Sequence, residues 1–321
     1  MAVVAEKPTA RIGVVGLGQM GAPIAERLGA AGYPLVVYDR TGEKANPLVS
    51  AGAQRAFTPR DVGRSASGGL VFTSLSDGRA VHKVLFGRQG LARGLAAGAL
   101  VVDLSTVAPS ESRDFASRLS AHGVHFVDAP LGGSVEAARN GRLLVFVGGA
   151  EEDVARARPY LERFSRRIDH LGPVGSGSAM KLVNNLLTVS YVALAGEALA
   201  FSDRLGLDRH RVIEILLEGG GRSSMLEQKR IALEERRYPA QFKLRLAEKD
   251  LTLIAEAARG AGAEVRIARE VRRLLREAER AGHGDDDFAA VFESAIARSP
   301  GRSAGPDAPA ATSDEPAAPP D

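Results

Sequence analysis

A glycine turn near the start of the chain constrains the fold more than any other feature of the sequence. The apolar, β-branched run RIGVV (11–15) leads directly into Gly16-Leu17-Gly18-Gln19-Met20-Gly21, and the amphipathic stretch APIAERLGAAG follows. A second apolar run, LVVY (35–38), ends in Asp39. Strand, glycine turn, helix, strand and terminal acid predict one βαβ unit.

The turn has the spacing G-x-G-x-x-G, which in this context predicts a dinucleotide site. Gly16 allows the tight turn, Gly18 lets the backbone approach a pyrophosphate, and Gly21 allows close helix–strand packing. The N–H groups at the helix start stabilise phosphate charge. Asp39, 18 residues beyond Gly21, is placed to accept hydrogen bonds from a ribose diol. The alternative is a tight βα turn with no ligand, which the full context disfavours.

The residues after the second strand leave the choice of cofactor open. Asp39 would repel a 2′-phosphate and favours NAD, whereas Arg40 and Thr41 could pair with that phosphate and favour NADP. We expect NAD without excluding NADP.

The alternation of strands and helices continues through the first half of the chain. Apolar runs at 69–75, 99–105, 125–130 and 143–149 are separated by helical patterns at 79–86, 109–122 and 151–164. This order predicts an α/β domain with a mainly parallel sheet over residues 11–175.

The pattern changes after the segment GPVGSG (172–177). One long, mostly apolar helical pattern covers 178–205, and further helical patterns follow at 208–217, 223–236, 243–261 and 263–281. We therefore expect an all-α domain over 176–298. Residues 1–10 are predicted to be a flexible N-terminus, and the Pro/Ala/Asp-rich segment 299–321 a disordered tail.

Composition narrows the function classes. The chain contains no cysteine, so it has no disulfide, thiol nucleophile or thiolate metal site. Its 42 Lys and Arg nearly balance 39 Asp and Glu, and no arginine-rich tract interleaves with aromatics, which argues against nucleic-acid binding. The six histidines show no metal-ligand spacing, so no metal is expected. The lack of a secretory leader or a long apolar run predicts a cytoplasmic protein without membrane contact.

Four segments resemble the β-hydroxyacid dehydrogenase family. They are GLGQMGAPIAERL (16–28), DAPLGGSVEAARNGRL (128–143), GPVGSGSAMKLVNN (172–185) and FKLRLAEKDLTL (242–253). The family includes 3-hydroxyisobutyrate dehydrogenases, tartronate and glyoxylate/succinic semialdehyde reductases and, more distantly, 6-phosphogluconate dehydrogenase and imine reductases. The resemblance implies a Rossmann domain joined by a long helix to a helical domain, assembled as a homodimer or homotetramer.

The same resemblance implies hydride transfer between NAD or NADP and a small β-hydroxy acid or its semialdehyde. An NADPH-dependent reductase of short aldehyde acids is the alternative within the family. A non-catalytic dinucleotide-binding scaffold is the alternative from another class, and the presence of Lys181 argues against it.

The segment 172–185 resembles the catalytic segment of the family. Lys181 and Asn185 stand four residues apart, so they project from one face of a helix. The resemblance makes Lys181 the general acid/base and Asn185 the residue that holds the substrate oxygen or orients the lysine. A lysine can take this role when burial or nearby positive charge brings its pKa toward neutrality. The alternative is a solvated lysine, which the apolar neighbours Met180 and Leu182 disfavour.

The segment 128–143 resembles the substrate loop but departs from it at one point. The family pattern is an apolar residue followed by Ser-Gly-Gly, whereas this chain has Leu131, Gly132, Gly133 and Ser134. Backbone N–H groups in such a loop can hold a carboxylate. The displaced hydroxyl leaves the donor geometry open, and a plain glycine turn is the alternative.

The remaining assignments come from the resemblance alone. Ser105 and Thr106 match the family's pair beside the nicotinamide, and the alternative is a helix N-cap. Lys249 and Asp250 match the pair that closes over the cofactor, and the alternative is an exposed charge pair. The expected cofactor residues are Gly16, Leu17, Gly18, Gln19, Met20, Gly21, Asp39, Arg40, Thr41, Leu75, Ser76, Thr106 and Lys249. The expected substrate residues are Ser105, Leu131, Gly132, Gly133, Ser134, Lys181, Asn185 and Asp250.

Overall fold

The computed structural model describes residues 10–297. Apart from residue 10, the predicted flexible N-terminus lies outside the described residues, as does the predicted tail 299–321. Within them the expected fold class is confirmed, with an α/β first half and a helical second half.

The α/β half is built on a six-stranded sheet in which every paired strand is parallel. The strands of the described region are β1 Ile12–Val15, β2 Leu35–Tyr38, β3 Gln54–Arg55, β4 Leu70–Thr73, β5 Leu100–Asp103, β6 His125–Asp128, β7 Leu131–Gly132, β8 Leu143–Val147 and β9 Ser165–His170. The order in the main sheet is β3-β2-β1-β4-β5-β6. From β1 the chain adds β2 and β3 on one side of the sheet, then returns to add β4, β5 and β6 on the other side. The boundary between β1 and β4 is therefore the topological switch point, where open α/β sheets bind ligands.

Helices cover the main sheet and then form the second half. Those of the first half are α1 Gly21–Ala30, α2 Asn46–Ser50, α3 Pro59–Ser65, α4 Gly78–Phe86, α5 Pro109–Ser120, α6 Val135–Arg139 and α7 Glu151–Leu161. Those of the second half are α8 Ser176–Arg204, α9 Arg209–Glu218, α10 Ser224–Glu235, α11 Leu244–Gly260, α12 Arg266–Arg280 and α13 Val291–Ala297. Single 3-10 turns lie at Gly42–Ala45, Leu91–Arg93, His283–Asp285 and Phe288–Ala290.

The central strands are short apolar runs that are buried along their whole length, as parallel sheets require. Two apolar clusters form the core of the α/β half, one around Phe72 and Phe164 and the other around Leu85 and Phe126. A third cluster fills the space between the helices of the second half.

The predicted strand at 143–149 belongs to a second, smaller sheet. There β8 pairs antiparallel with β7 and parallel with β9. An isolated antiparallel bridge between Asp128 and Gly148 links this sheet to the end of β6. The sequence pattern did not predict β7, which has two residues, or β9, whose sequence SRRIDH is polar and partly exposed. Their strand conformation comes from pairing with β8.

Helix α8 runs through the middle of the helical half. Helices α11, α12 and α13 pack against it. By length and composition alone, it is the helix of the described region that is long and apolar enough to cross a membrane. Of its most apolar window, 44% is buried inside the protein. This packing is that of the core helix of a helical bundle.

Candidate active site

The glycine turn lies at the carboxyl ends of β1 and β4, and two of its glycines are required by close packing. Gly16 has a φ of +93°, and a Cβ there would overlap the carbonyl oxygen of Ser74. A Cβ on Gly21 would overlap the carbonyl oxygen of Gly16. Gly18 differs, because a Cβ on it would have no atom within 4 Å. The backbone is therefore open at Gly18, where a pyrophosphate would approach.

The start of helix α1 fits an anionic group. No side chain caps this helix at Met20, and its first turn contains no acidic residue. No acidic residue of α1 itself therefore offsets its positive dipole end. Together with the open position at Gly18, this arrangement fits a dinucleotide pyrophosphate.

Asp39 stands at the end of β2, as predicted, and ties together two segments. Its carboxylate accepts hydrogen bonds from the backbone N–H groups of Leu17 and Thr41, both at 2.8 Å. Each carboxylate oxygen accepts about two hydrogen bonds, so one position on each stays available to a ribose hydroxyl. Arg40 is exposed, and the Lys44 ammonium lies 3.9 Å from Asp39. The cations beside the carboxylate keep both cofactor predictions open.

Lys181 lies on the second turn of α8, next to the predicted substrate loop. Its Nζ donates a hydrogen bond of 2.6 Å to the carbonyl oxygen of Leu131, 50 residues earlier. Burial is the largest influence on its pKa and lowers it below the usual value for lysine. The nearby carboxylate of Asp250 opposes this shift by raising the pKa, and the ammonium of Lys249 adds to the lowering.

One turn further along α8, Asn185 connects to the predicted pair on α11. Its Nδ2 donates to Asp250 at 2.6 Å, and its Oδ1 accepts from Asn184 at 3.0 Å. Both Asn185 and Asp250 are buried. The amide of Asn185 is thus fixed in orientation by a carboxylate from α11.

Lys249 connects the helical half to the α/β half. Its Nζ lies 2.9 Å from Asp250 and donates to the carbonyl oxygen of Thr106 at 2.7 Å. Its side chain is only 22% exposed, so the alternative of an ordinary exposed charge pair does not describe it. The structure therefore gives two sets of contacts that start one turn apart on α8, and we call their six residues the connected group: Lys181 with Leu131, and Asn185 with Asp250, Lys249 and Thr106.

Ser134, the displaced serine of the predicted substrate loop, uses its hydroxyl in a hydrogen bond within the protein. The hydroxyl of Ser134 accepts the backbone N–H of Ala137 and caps the N-terminus of α6. Gly132, which stands where the family pattern has serine, is buried in β7, and a Cβ there would lie 3.1 Å from the Phe146 ring. The substrate roles of these residues stay predictions, and the structure gives Ser134 a capping role.

Ser105 is likewise occupied by contacts within the protein. Its hydroxyl donates to Asp103 at 2.6 Å and accepts the backbone N–H of Leu75 at 2.9 Å. It thereby connects the ends of β4 and β5, and it caps no helix, since α5 has Ala108 at that position. Its predicted contact with substrate stays a prediction. Ser76 donates to Asp77, which caps α4.

Two buried aspartates support the site and were missed by sequence reasoning. Asp128 accepts the backbone N–H groups of Gly175 and Ser178, each at 2.7 Å, and so fixes the start of α8 one turn before Lys181. Asp103 accepts from Thr73 and Ser105, and burial raises its pKa to about 6. Each aspartate is the last residue of a strand whose preceding two residues are apolar and buried, and that position was the available signal.

The arrangement can bind a dinucleotide at the glycine turn and exchange a proton at Lys181. Within residues 10–297, no group of three or more His, Asp or Glu side chains is placed to hold a metal ion.

Comparison with known proteins identifies what the chain resembles. Residues 11–172 match the NAD binding domain of 6-phosphogluconate dehydrogenase, and residues 175–295 match the NAD-binding domain of NADP-dependent 3-hydroxyisobutyrate dehydrogenase. The chain is 33% identical to glyoxylate/succinic semialdehyde reductase 2 of Arabidopsis thaliana, over 90% of this chain and 80% of that one.

Two solved structures show the same fold. One is 3-hydroxyisobutyrate dehydrogenase from Salmonella typhimurium, with a TM-score of 0.82 and 26% identity over 88% of this chain and 99% of that one. The other is Psf3 in complex with NADP+ and 2-OPP, with a TM-score of 0.80 and 27% identity over 88% and 99% of the two chains.

Proposed function

The chain belongs to the β-hydroxyacid dehydrogenase family, and we propose that Lys181 is the general acid and base of its reaction. The protein is an NAD(P)-dependent oxidoreductase of small β-hydroxy acids or their semialdehydes. A bound nicotinamide supplies or accepts the hydride. The observation that carries the proposal is the hydrogen bond of 2.6 Å from Lys181 to Leu131, which places the amine at the predicted substrate loop.

Each residue of the connected group has a role in this proposal. In oxidation, neutral Lys181 accepts the proton of the substrate hydroxyl, and in reduction its ammonium returns a proton to the carbonyl oxygen. Asp250 orients the amide of Asn185, which contacts the same substrate oxygen. The backbone of the loop 131–134 holds the substrate carboxylate. Lys249 connects α11 to Thr106 and so closes the helical half over the nicotinamide side.

We propose residues 11–175 as the cofactor domain and 176–298 as the helical domain, with NAD as the preferred cofactor. The two family matches change over between residues 172 and 175, close to the start of α8. Asp39 retains acceptor positions for a ribose diol, which supports NAD. The expected cytoplasmic location also stays a prediction.

Titration with NADH and NADPH, followed by turnover of a panel of β-hydroxy acids and their semialdehydes, tests this proposal. We expect binding of NADH and oxidation of at least one β-hydroxy acid. Binding without turnover of any acid or semialdehyde in the panel would contradict the proposed reaction, and binding of neither cofactor would contradict the proposed cofactor site.

The second candidate is an NADPH-dependent reductase of short aldehyde acids. The exposed cations Arg40 and Lys44 beside Asp39 favour it, because both could pair with a 2′-phosphate. The similarity to glyoxylate/succinic semialdehyde reductase 2 and to a structure with NADP+ points in the same direction. The titration distinguishes the two candidates, because an NADPH-dependent reductase should bind NADPH more tightly than NADH.

The pH dependence of the two directions follows from the lowered pKa of Lys181. Oxidation needs the neutral amine, so its rate rises with pH through the pKa of Lys181, which lies below the usual lysine value. Reduction needs the ammonium, so its rate falls over the same range. In Asp250→Asn the loss of the carboxylate lowers this pKa further, and both profiles shift to lower pH. Lys249→Met should have the opposite effect, because loss of the Lys249 charge raises the pKa of Lys181 and shifts both profiles to higher pH. Shifts in one common direction for the two variants would refute the assignment.

We also propose a homodimer formed through one face of α8. Val183, Leu187, Leu194 and Phe201 stand at spacings of four, seven and seven residues and are 53% to 69% exposed. Such a stripe of large apolar side chains is typical of a helix that packs against a partner. Leu194→Glu is expected to convert the dimer to a monomer of 33.7 kDa in light scattering. Ile267→Glu, an equally exposed position on α12, is the control and should leave the mass unchanged.

A further inference from the structure

A buried ion pair in the helical half takes no part in the proposed reaction. Lys229 on α10 places its Nζ 2.9 Å from the carboxylate of Asp287, and the two residues are only 5% and 1% exposed. Moving two charges out of water costs free energy that their mutual attraction barely returns. The other contacts of Asp287 therefore indicate what this pair does.

Asp287 holds the segment that leads into α11. We call residues 238–243 the strap. The carboxylate of Asp287 accepts the backbone N–H groups of Gln241 at 3.1 Å and Phe242 at 3.0 Å. Its own N–H donates to the carbonyl oxygen of Tyr238 at 3.0 Å. The strap is thus fastened at both of its ends to one buried residue.

The middle of the strap contacts the glycine turn. The carbonyl oxygen of Ala240 accepts a hydrogen bond of 3.1 Å from the Nε2 of Gln19, which stands between Gly18 and Gly21. Here the helical half is hydrogen-bonded directly to the predicted pyrophosphate loop, across 221 residues of sequence.

Tyr238 and Phe242 of the strap pack against the helical core, whereas Pro239 and Gln241 between them are exposed. A cleft of about 590 Å³ lies beside it, lined by residues that include Lys229, Tyr238, Pro239, Gln241 and Asp287. Hydrogen bonds from the Tyr238 hydroxyl to Glu293 and from the Phe288 N–H to the Phe242 carbonyl oxygen also hold the strap, but Asp287 alone bonds to its backbone at Tyr238, Gln241 and Phe242. The charge of Lys229 holds the carboxylate in place to accept the hydrogen bonds from Gln241 and Phe242.

We propose that Lys229 and Asp287 are a positioning pair that holds the strap on the glycine turn and so strengthens binding of the dinucleotide. The proposal rests on the proposed function, since it takes the glycine turn as the cofactor site. The pair acts through the contact between Ala240 and Gln19, and it touches neither substrate nor reacting atoms.

A double-mutant cycle on cofactor binding tests this role. We expect Asp287→Asn and Gln19→Ala each to raise the Kd for the preferred reduced cofactor about fivefold, equivalent to about 1 kcal/mol, the net contribution of one hydrogen bond. The Kd of the double variant should not exceed the higher of the two single-variant Kd values, because both changes remove the same contact. The KM for cofactor should rise in Asp287→Asn while kcat stays within about twofold, as expected when uniform binding is lost.

Two further variants keep the test decisive. Asp203→Asn removes another ion pair of the helical half, with Arg209, and should leave the Kd unchanged whatever it does to the Tm. If Asp287→Asn does not fold, Lys229→Gln takes its place in the cycle and should weaken binding in the same direction. An unchanged Kd, or additive effects of about 25-fold in the double variant, would overturn the positioning role. Failure of the wild-type protein to bind either cofactor would instead overturn the proposed function.

Discussion

Replacement of Lys181 by methionine is expected to lower kcat by about 10³-fold, within the range that general acid–base catalysis contributes. Methionine fills a similar volume but cannot exchange a proton. The substitution also removes the hydrogen bond to the Leu131 carbonyl oxygen, so the free energy of unfolding should fall by only about 1 kcal/mol. Steady-state kinetics in both directions, together with a thermal melt, measure the two effects separately.

Two further variants distinguish proton transfer from charge. Lys181→Arg keeps a positive charge but cannot give up its proton, so it should lose as much activity as Lys181→Met. Lys83→Met, at an exposed position on α4, is the matched control and should retain wild-type turnover. Near-wild-type kcat in Lys181→Met would refute the proposed mechanism, and full activity of Lys181→Arg would show that the charge alone is needed.

Gly18→Ala is expected to lower kcat/KM for the cofactor by about 10²-fold without loss of stability. No protein atom would meet the added Cβ, so the fold has room for it. The methyl group would instead stand where the pyrophosphate approaches, and displacing a bound group by about 1 Å can cost this factor. Cofactor kinetics and a thermal melt on the same sample check both parts of the expectation.

Gly16→Ala is the matched comparison at the same turn and, unlike Gly18→Ala, should lower the stability of the fold. Its φ of +93° and the nearby Ser74 carbonyl oxygen leave no place for a Cβ. The strained backbone alone costs about 1–3 kcal/mol, so the Tm should fall. Equal cofactor kinetics in Gly18→Ala and the wild type would mean that the open position at Gly18 is not part of the cofactor site.

Much of the fold could be predicted from the sequence, because it is encoded by short-range patterns. The buried strand before Gly16, the helix after it and the acid at the end of β2 are features of adjacent residues. The long apolar pattern after residue 178 appears as α8, which begins two residues earlier, at Ser176. The strands β3, β7 and β9 escaped prediction because their short or polar sequences become strands only by pairing with β2 or β8.

The candidate site was also predicted only in part from the sequence. The resemblance selected Lys181 and Asn185, whose spacing of four residues places them on one helix face. It also selected Ser105 and Ser134, whose hydroxyls the structure commits to Asp103 and to a helix cap. A serine that binds substrate and one that bonds its own protein look alike in a sequence.

The sequence by itself determined the glycine turn, the parallel sheet, the long helix and the lysine on it. The tertiary structure decided which distant groups meet, as in the contacts of Lys181 with Leu131, Asn185 with Asp250, and Gln19 with Ala240. The physical reason is one of range. Backbone periodicity and turn preferences act over a few residues, whereas these contacts join positions 50 to 221 residues apart and exist only once distant elements have packed, either α8 on α11 or one half on the other.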